Sequence, residues 1–474
     1  MNDEKKVGLI GLVALTVSSV VGGGIFNIMS DVAKVSSVGP AIIAIIISGS
    51  GMGIFVMCLQ NLTNKLPHLE AGVYSFAQEG FGSFAGFNSA MGFWLSMFLG
   101  NVALGSLCMS ALGYFFPLFG DGQNVYAVLF ASVILWMMHL AISKGSDFAN
   151  KINGIITAAK LIPLCIFILT LIIAFDYNMF TKDFWGTINN NFDWNQVGPQ
   201  VSKSMVFIVW MFVGVEGATV YSARANSKKI VSKATVLSFA IITSIYLLTL
   251  VMSFAVMTRE NLANLDKPAM AFVMESVVGK WGAVMINAGV VISALGAWFA
   301  CTMFSGEVLF QAAKSKIFPR FLAYENKYNA PTVALLLSNG LVQFFLLSLL
   351  VNKSAYNLMA LLASSTMLIP YFFISITQVK LSWRWDNHKL TKNLIFGIIA
   401  SIYMVYCIFA SGYQYVLATT LLFAPGMFLY VIARKENSER VFSKAEFIAA
   451  IAIMIMATIS IVFIANGNID IAEL

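Results

Sequence analysis

Residues 205–221 read MVFIVWMFVGVEGATVY, an apolar run that carries one carboxylate between two glycines. The run suits a membrane span, but a charged side chain at bilayer depth costs roughly 2.5–3.5 kcal/mol and normally faces a cavity or a partner. Gly214 and Gly217 allow the helix to open, and a membrane tolerates open backbone only where it lines a cavity. We therefore predict a broken span with Glu216 at a functional site.

An earlier stretch repeats the pattern. Residues 18–26 read SSVVGGGIF, with Gly22, Gly23 and Gly24 in the middle of the first apolar run. Interrupted spans at corresponding places in two halves of a chain point to a transporter binding site. The alternative is close helix packing through small residues. We favour binding at the break because three glycines follow one another within one span.

The composition is that of an integral membrane protein. Of 474 residues, 59% are hydrophobic and 11% are charged, whereas soluble domains carry about 25% charged residues. Thirteen apolar runs, from 7–29 to 445–466, fill the chain, and runs of about 20 residues cross a hydrocarbon core of about 30 Å. No room is left for a large soluble domain.

The loop charges predict how the chain is oriented. The net charge of +7 comes from Lys and Arg in alternate short loops, which is the positive-inside pattern and not a nucleic-acid surface. The N-terminus is then cytoplasmic and, after thirteen spans, the C-terminus is extracellular; the tail at 467–474, GNIDIAEL, has no Lys or Arg. We expect a multi-pass protein of the cell (inner) membrane with a retained N-terminal segment.

The polar residues do not indicate a cofactor, a metal or an enzyme. The five cysteines lie inside apolar runs without a CxxC pair, and the three histidines are scattered, so neither a disulfide framework nor a metal-ligand spacing is present. No nucleophile–base pair and no ring-forming filter motif suggests an enzyme or a channel. We expect no cofactor, no metal and no nucleic-acid partner.

Five motifs make the chain resemble the amino acid, polyamine and organocation transporter superfamily, and within it the basic amino acid and polyamine antiporters. They are residues 22–26 (GGGIF), 94–101 (WLSMFLGN), 210–216 (WMFVGVE), 295–298 (LGAW) and 364–371 (SSTMLIPY). The resemblance covers nearly all of the first twelve spans.

The resemblance implies an all-α integral membrane fold of two inverted five-helix repeats, with broken spans 1 and 6 and additional C-terminal spans. The expected parts are a first repeat at 1–175 with spans 1 to 5, an extracellular loop at 176–199, a second repeat at 200–379 with spans 6 to 10, and spans 11 to 13 at 380–474. The thirteenth span departs from the twelve that are usual in the superfamily.

The two breaks supply the chemistry of a substrate site. Free N–H groups at the first break suit an α-carboxylate, and freed carbonyls near Phe207 and Val209 suit an ammonium group. Trp210 and Trp298 offer aromatic faces to a cation, a contact worth about 0.5–2 kcal/mol. The alternative for both tryptophans is packing in the core.

The resemblance adds further site positions. Together, the residues predicted to bind substrate are Val21, Gly22, Gly23, Gly24, Ser96, Met97, Asn101, Phe207, Trp210, Val213, Glu216, Trp298, Ser364 and Ser365, and those predicted to gate or couple transport are Phe26, Lys160, Trp210, Glu216 and Trp298. Asn101 has the alternative of a hydrogen bond between helices. The alternative for Glu216 is a structural role, as a buried carboxylate that accepts hydrogen bonds from neighbouring backbone groups.

Lys160 is the second charge inside a span, in residues 157–164, TAAKLIPL. In sodium-coupled relatives of the fold that the resemblance implies, a sodium ion ties spans 1, 5 and 8 together, and sodium-independent members place a lysine there. Lys160 matches that position, so the resemblance implies sodium-independent exchange. The alternative is a lysine that extends to the membrane interface.

The predicted function is a sodium-independent antiporter that exchanges a basic amino acid or amine for its metabolic product by alternating access. Arginine for ornithine is the first choice, because it is the commonest activity in the resembling group. Agmatine for putrescine and histidine for histamine stay open, because Gly23 replaces a serine common in relatives and Met97 exceeds the usual residue in size. A proton-coupled amino acid importer also stays open. The expected partners are small cationic substrates and the lipid bilayer, and a homodimer is left open.

Overall fold

The computed structural model describes residues 8–69, 72–220, 225–350 and 355–466, and its regular elements are helices. The α-helices are α1 Leu9–Val20, α2 Ile28–Ala33, α3 Val38–Lys65, α4 Val73–Phe81, α5 Ser83–Phe115, α6 Val125–Ile142, α7 Ser146–Ile173, α8 Tyr177–Lys182, α9 Trp194–Met211, α10 Gly217–Val220, α11 Lys228–Ser253, α12 Arg259–Ala263, α13 Ala269–Val278, α14 Lys280–Lys314, α15 Thr332–Ser348, α16 Ala355–Trp385, α17 Lys392–Ala410, α18 Tyr413–Glu436 and α19 Lys444–Ala465. Short 3-10 turns occur at Gly24–Phe26, Pro117–Phe119 and Arg320–Ala323.

The protein is a multi-pass membrane protein, as the composition predicted. Within the described ranges, nine helices are long and apolar enough to cross a membrane: α3, α5, α6, α11, α14, α16, α17, α18 and α19. The other four predicted spans correspond to α1, α7, α9 and α15, which are shorter, broken or less apolar over part of their length. Helices suit this environment because they satisfy their own backbone groups where water is absent. The tail at 467–474 lies outside the described residues.

Both predicted breaks are confirmed. Helix α1 ends at Val20, and the chain is irregular up to the turn Gly24–Phe26, after which α2 begins. Helix α9 ends at Met211, and turns lead through residues 212–216 into α10. Gly214 has a φ of 101°, which glycine adopts readily and other residues rarely adopt. Helix α9 begins at Trp194, within the segment 176–199 for which an extracellular loop is predicted; that division of the chain stays a prediction.

Helices α4 and α13 are among the short helices missing from the sequence prediction. Helix α4 joins α5 through Gly82, at φ 85° and ψ −176°, and α13 joins α14 through Gly279, at φ 81° and ψ −172°. Helices of 9 and 10 residues are too short to cross the bilayer, so a search for spans passes over them. The same helix–glycine–helix corner before α5 and before α14 is what two related halves would produce; the division at 1–175 and 200–379 stays a prediction.

The packing places both breaks beside the most buried helices. Helix α5 packs along α14 and α16, α1 packs on α7, α11 and α14, and α9 packs on α3. Helix α19 packs on α18 and has at most slight contacts with the other described helices. The broken helices are thus enclosed by the core, while the last helix lies at its edge.

Candidate functional site

The two breaks line one cavity of about 60 Å³, together with side chains from α5, α11 and α14. Of the predicted site residues, those that line it are Gly22, Gly23, Gly24, Ser96, Met97, Val213 and Glu216. A water molecule needs about 10–15 Å³ by this kind of measure, so the cavity has room for a few waters. Admitting an amino acid requires the walls to move apart.

The first break is held by side chains from three other helices. Lys160 on α7 donates hydrogen bonds to the carbonyl of Ser18 and, at 2.8 Å, to that of Val21. Tyr246 on α11 donates to the carbonyl of Val20 at 3.0 Å, and Ser293 on α14 to that of Val21 at 3.4 Å. The last carbonyls of a helix have no partner inside the helix and carry partial negative charge. A lysine ammonium therefore satisfies them well.

The second break is held by its own backbone and by one tyrosine. Tyr371 on α16 donates a hydrogen bond from its hydroxyl to the Glu216 carboxylate. The Tyr371 hydroxyl oxygen in turn accepts a hydrogen bond from the Gly214 N–H at 3.3 Å. Backbone bonds from Gly217 to Gly214 at 2.9 Å and from Thr219 to Glu216 at 2.7 Å continue the turn. Tyr371 thus ties the carboxylate to the point at which α9 opens.

The cavity offers different chemistry on its walls. Gly23 and Gly24 stand at the start of the turn Gly24–Phe26, where N–H groups have no acceptor within the turn. Glu216 supplies a carboxylate that is 1% exposed. The Ser96 hydroxyl oxygen is buried and has no hydrogen-bond partner in the part of the chain that is described. Such a site can bind a carboxylate on one wall and a cation on another.

Apolar and aromatic side chains complete the lining. Phe93 and Met97 on α5, Met211 at the end of α9, and Phe304 on α14 face the cavity. An aromatic face attracts a cation when the pair is shielded from water. Phe93 and Phe304 can therefore offer aromatic faces to a bound cation.

Several predicted residues lie beside the cavity and not in its wall. Asn101 on α5 donates a hydrogen bond to the Thr302 hydroxyl on α14 at 3.2 Å. This is a hydrogen bond between helices, the alternative to substrate binding that we considered for Asn101. Trp298 is fully buried and its indole lies close to Gly105; its role in binding and gating stays a prediction. Phe26 is also fully buried, and Val21 contributes its carbonyl to Lys160.

Ser364 and Ser365 are not brought to this cavity. They line a separate small space with residues of α9, α17 and α18, and no described residue of α16 lines the cavity between the breaks. Phe207 is also outside the lining, and Val209 sits in the continuous part of α9, where its carbonyl accepts from the Phe212 N–H at 3.1 Å. Helix α9 is thus continuous past Phe207 and Val209, and the break begins after Met211. The side chain of Trp210 lies outside the described residues.

Sequence reasoning missed Tyr246, Tyr371 and Ser293. Each is a lone hydroxyl in an apolar span, and many such hydroxyls simply bond to their own helix. Tyr371 closes the motif at 364–371, so the resemblance pointed to its neighbourhood without giving it a role. Which hydroxyl meets a break depends on how the helices pack.

A larger cavity, about 570 Å³, lies further along α5 and α14 and is lined by Ser106 and Asn287 among others. Lys267 reaches it and donates to the Asn357 side-chain oxygen at 2.5 Å. Burial lowers the pKa of Lys267 to about 8, against the opposing attraction of the Asp31 carboxylate. Both cavities border α5 and α14, and their linings have no residue in common.

Comparison with known proteins agrees with this architecture. The amino acid permease family model matches residues 7–456. An arginine/ornithine antiporter of Latilactobacillus sakei is 39% identical over 467 residues, 98% of each chain. An arginine/ornithine antiporter of Pseudomonas aeruginosa is 40% identical over 96% of this chain and 97% of its own. A putative amino-acid transporter of Clostridium perfringens is 35% identical over 98% of this chain and 99% of its own.

Proposed function

Because the chain belongs to the amino acid permease family, within the amino acid, polyamine and organocation transporter superfamily, we propose that it exchanges arginine for ornithine across the membrane. The observation that carries the proposal is the pairing of two breaks in one cavity, with N–H groups of Gly23 and Gly24 at one and the Glu216 carboxylate at the other. That pairing complements an amino acid whose side chain is positive. The names and full-length identities of the relatives support the same substrates.

The proposed binding mode follows from the walls. The α-carboxylate of the substrate accepts hydrogen bonds from the first break, where the N–H groups favour an anion. The cationic end is attracted by Glu216 and by the faces of Phe93 and Phe304. Ser96 adds a hydroxyl that has no other partner among the described residues.

Alternating access would then move one half against the other. The cavity is too small for arginine in this conformation, so the breaks and α5 must separate on one side to admit it. The two predicted repeats, 1–175 and 200–379, are the bodies that would rock. Exchange results if the empty protein cannot complete the movement, since substrate must then be bound in each direction.

Sodium independence is part of the proposal. Lys160 supplies an ammonium group where the carbonyls of Ser18 and Val21 converge, and carbonyl oxygens are the ligands that small cations seek in membrane transporters. A fixed positive charge at that point would make a sodium ion unnecessary.

We also place the protein in the cell membrane with its N-terminus in the cytoplasm, in line with the loop charges. The C-terminus would be extracellular, and the protein would transport substrate without modifying it. A homodimer remains a prediction.

Counterflow in proteoliposomes tests the function. Vesicles loaded with arginine, ornithine, agmatine, putrescine, histidine, histamine or nothing are given labelled arginine, and then the other labelled candidates, in sodium-free buffer. We expect rapid uptake only into vesicles that hold arginine or ornithine. Equal uptake into empty vesicles under a proton gradient would make the protein an importer, and uptake driven by agmatine and putrescine or by histidine and histamine would replace the substrate pair.

A further inference from the structure

Asn27 lies between the first break and the start of α2, and its side chain is fully buried. Its N–H donates a hydrogen bond to the Gly24 carbonyl at 3.2 Å, and its carbonyl accepts from the N–H groups of Ser30 and Asp31, each at 3.0 Å. These backbone bonds close the turn Gly24–Phe26 and begin the next helix. They do not require an amide side chain, and burying one is costly unless it forms hydrogen bonds.

The side-chain oxygen of Asn27 accepts a hydrogen bond from the N–H of Ala269 at 3.1 Å. Ala269 is the first residue of α13 and is also fully buried. The first N–H groups of a helix have no partner within the helix, and Pro268, the residue before α13, provides no side-chain cap. Asn27 therefore caps a helix that begins 242 positions further along the chain.

The segment that contains Ala269 is itself fixed to helices outside the breaks. The carbonyl of Lys267 accepts from the Ser110 hydroxyl of α5 at 3.1 Å, and the Lys267 ammonium donates to the Asn357 side chain of α16 at 2.5 Å. Helix α13 packs along α14. Asn27 thus links the turn at the first break to α5, α14 and α16.

The turn has little rigidity of its own. Its internal hydrogen bonds are long, at 3.3 Å from the Phe26 N–H to the Gly23 carbonyl and 3.2 Å from the Asn27 N–H to the Gly24 carbonyl. The three glycines at 22–24 can adopt many backbone conformations. A hydrogen bond from outside the turn therefore has a large part in fixing its position.

Two other contacts join α2 to the same outer segment. Ser30 donates its hydroxyl to the Leu265 carbonyl at 3.5 Å, and Arg259 donates to the Ala33 carbonyl at 3.1 Å. Both contacts are made by α2 beyond the turn. Of the three, the contact of Asn27 is the nearest along the chain to the N–H groups at the first break.

We propose that Asn27 is a positioning residue, whose bond to Ala269 holds the turn where the N–H groups of the first break bind the α-carboxylate of the substrate. This inference rests on the proposed function, in which the carboxylate binds at that break. The cationic end of the substrate binds at other walls of the cavity. Asn27 therefore favours amino acids over amines that lack the carboxylate.

The test compares two ligands that differ in the carboxylate. Agmatine has the guanidinium group of arginine and lacks its α-carboxylate. Proteoliposomes are loaded with ornithine, and the external concentrations of arginine and of agmatine that halve the uptake of labelled ornithine are measured. For Asn27→Leu, a side chain of similar size without the acceptor, we expect the arginine concentration to rise about fivefold, as the loss of one neutral hydrogen bond predicts. The agmatine concentration should not change.

Ala269→Pro removes the same hydrogen bond from the other side. Proline has no N–H and is tolerated at the first position of a helix, and Pro268 already has the extended backbone, with ψ 120°, that a following proline requires. We expect the same selective loss for arginine. Asn88→Leu is the matched control, because the side chain of this buried asparagine donates to the Phe84 carbonyl of its own helix; it should keep the wild-type preference.

The outcomes separate the inference from the proposed function. An equal rise for both ligands in the two variants would show that Asn27 only supports the fold, and would overturn the inference. Unchanged arginine binding in both variants, or a selective loss in Asn27→Leu alone, would also overturn it and leave arginine–ornithine exchange intact. A wild-type protein that binds agmatine as tightly as arginine would overturn the inference together with the proposed carboxylate site.

Discussion

Among the described residues, side chains of three other helices donate hydrogen bonds to the first helix break, whereas Tyr371 joins the second break to α16. Donors from α7, α11 and α14 reach the carbonyls of Ser18, Val20 and Val21, so opening the first break separates several elements at once. At the second break, Tyr371 is the side chain that joins Glu216 and Gly214 to α16. The difference suggests that the first break is an anchor and the second an adjustable part. Substitutions at the first should reduce stability and transport together, and those at the second should reduce transport first.

Lys160→Met tests the anchor and should have the largest effect. It removes two hydrogen bonds from a charged donor to buried carbonyls, each worth about 1.5–3 kcal/mol. We expect arginine–ornithine exchange to be abolished and the melting temperature in detergent to fall markedly. Lys314→Met, which changes a partly exposed lysine paired with Glu325, serves as the control and should alter neither. If Lys160→Met were as stable as the wild type, the first break would not act as an anchor.

Glu216→Gln tests the second break without disturbing its shape. The amide oxygen can still accept from Tyr371, but the negative charge is lost. We expect exchange to fall at least tenfold, as the loss of about 1.4 kcal/mol or more of cation binding requires, with little change in melting temperature. Glu307→Gln provides the control, because Glu307 bonds to Gln311 on its own helix and lies outside the cavity lining. Undiminished exchange by Glu216→Gln would exclude the carboxylate from substrate binding.

Tyr371→Phe removes the link between the second break and α16. The Gly214 N–H loses an acceptor and Glu216 loses a donor, at a cost of about 1–3 kcal/mol. We expect exchange to fall five- to a hundredfold. Tyr403→Phe is the matched control. The hydroxyl of that buried tyrosine donates to the Ser48 carbonyl at 3.3 Å, and neither residue belongs to a helix break. Similar transport in the two variants would show that Tyr371 matters only for packing.

A pair of glycine substitutions gives the smallest expected effect. Gly214 has a φ of 101°, so Gly214→Ala should cost about 1–2 kcal/mol of stability. A Cβ at Gly22 would lie 3.4 Å from the Ala297 Cβ and 3.6 Å from Leu104, within ordinary contact distance, so Gly22→Ala should melt close to wild type. The test is to measure the melting temperatures of both variants. A larger fall in melting temperature for Gly22→Ala than for Gly214→Ala would contradict this prediction.

Most of the fold follows from local signals in the sequence. Apolar runs predict spans because the bilayer sets the length of a crossing helix, and the glycines at 22–24, 214 and 217 mark both breaks. Glu216 and Lys160 stand out because charges inside spans are costly and therefore have partners or functions. The short helices α4 and α13 were missed because they are too short to be recognised as spans.

The sequence by itself determined the class of protein, its long helices, the two breaks and the two charges inside spans, since each depends on the transfer of a short segment into hydrocarbon. Only the tertiary structure decided which side chains meet. Helix α5 is buried on nearly all sides, so its pattern of apolar residues does not show which face carries Ser96 to the cavity and Asn101 to Thr302. Likewise, the rotation of α16 directs Tyr371 to Glu216 and Ser365 to the small space beside α9, α17 and α18. Rotation about a helix axis depends on close packing with neighbours far along the chain, which residue hydrophobicity alone does not specify.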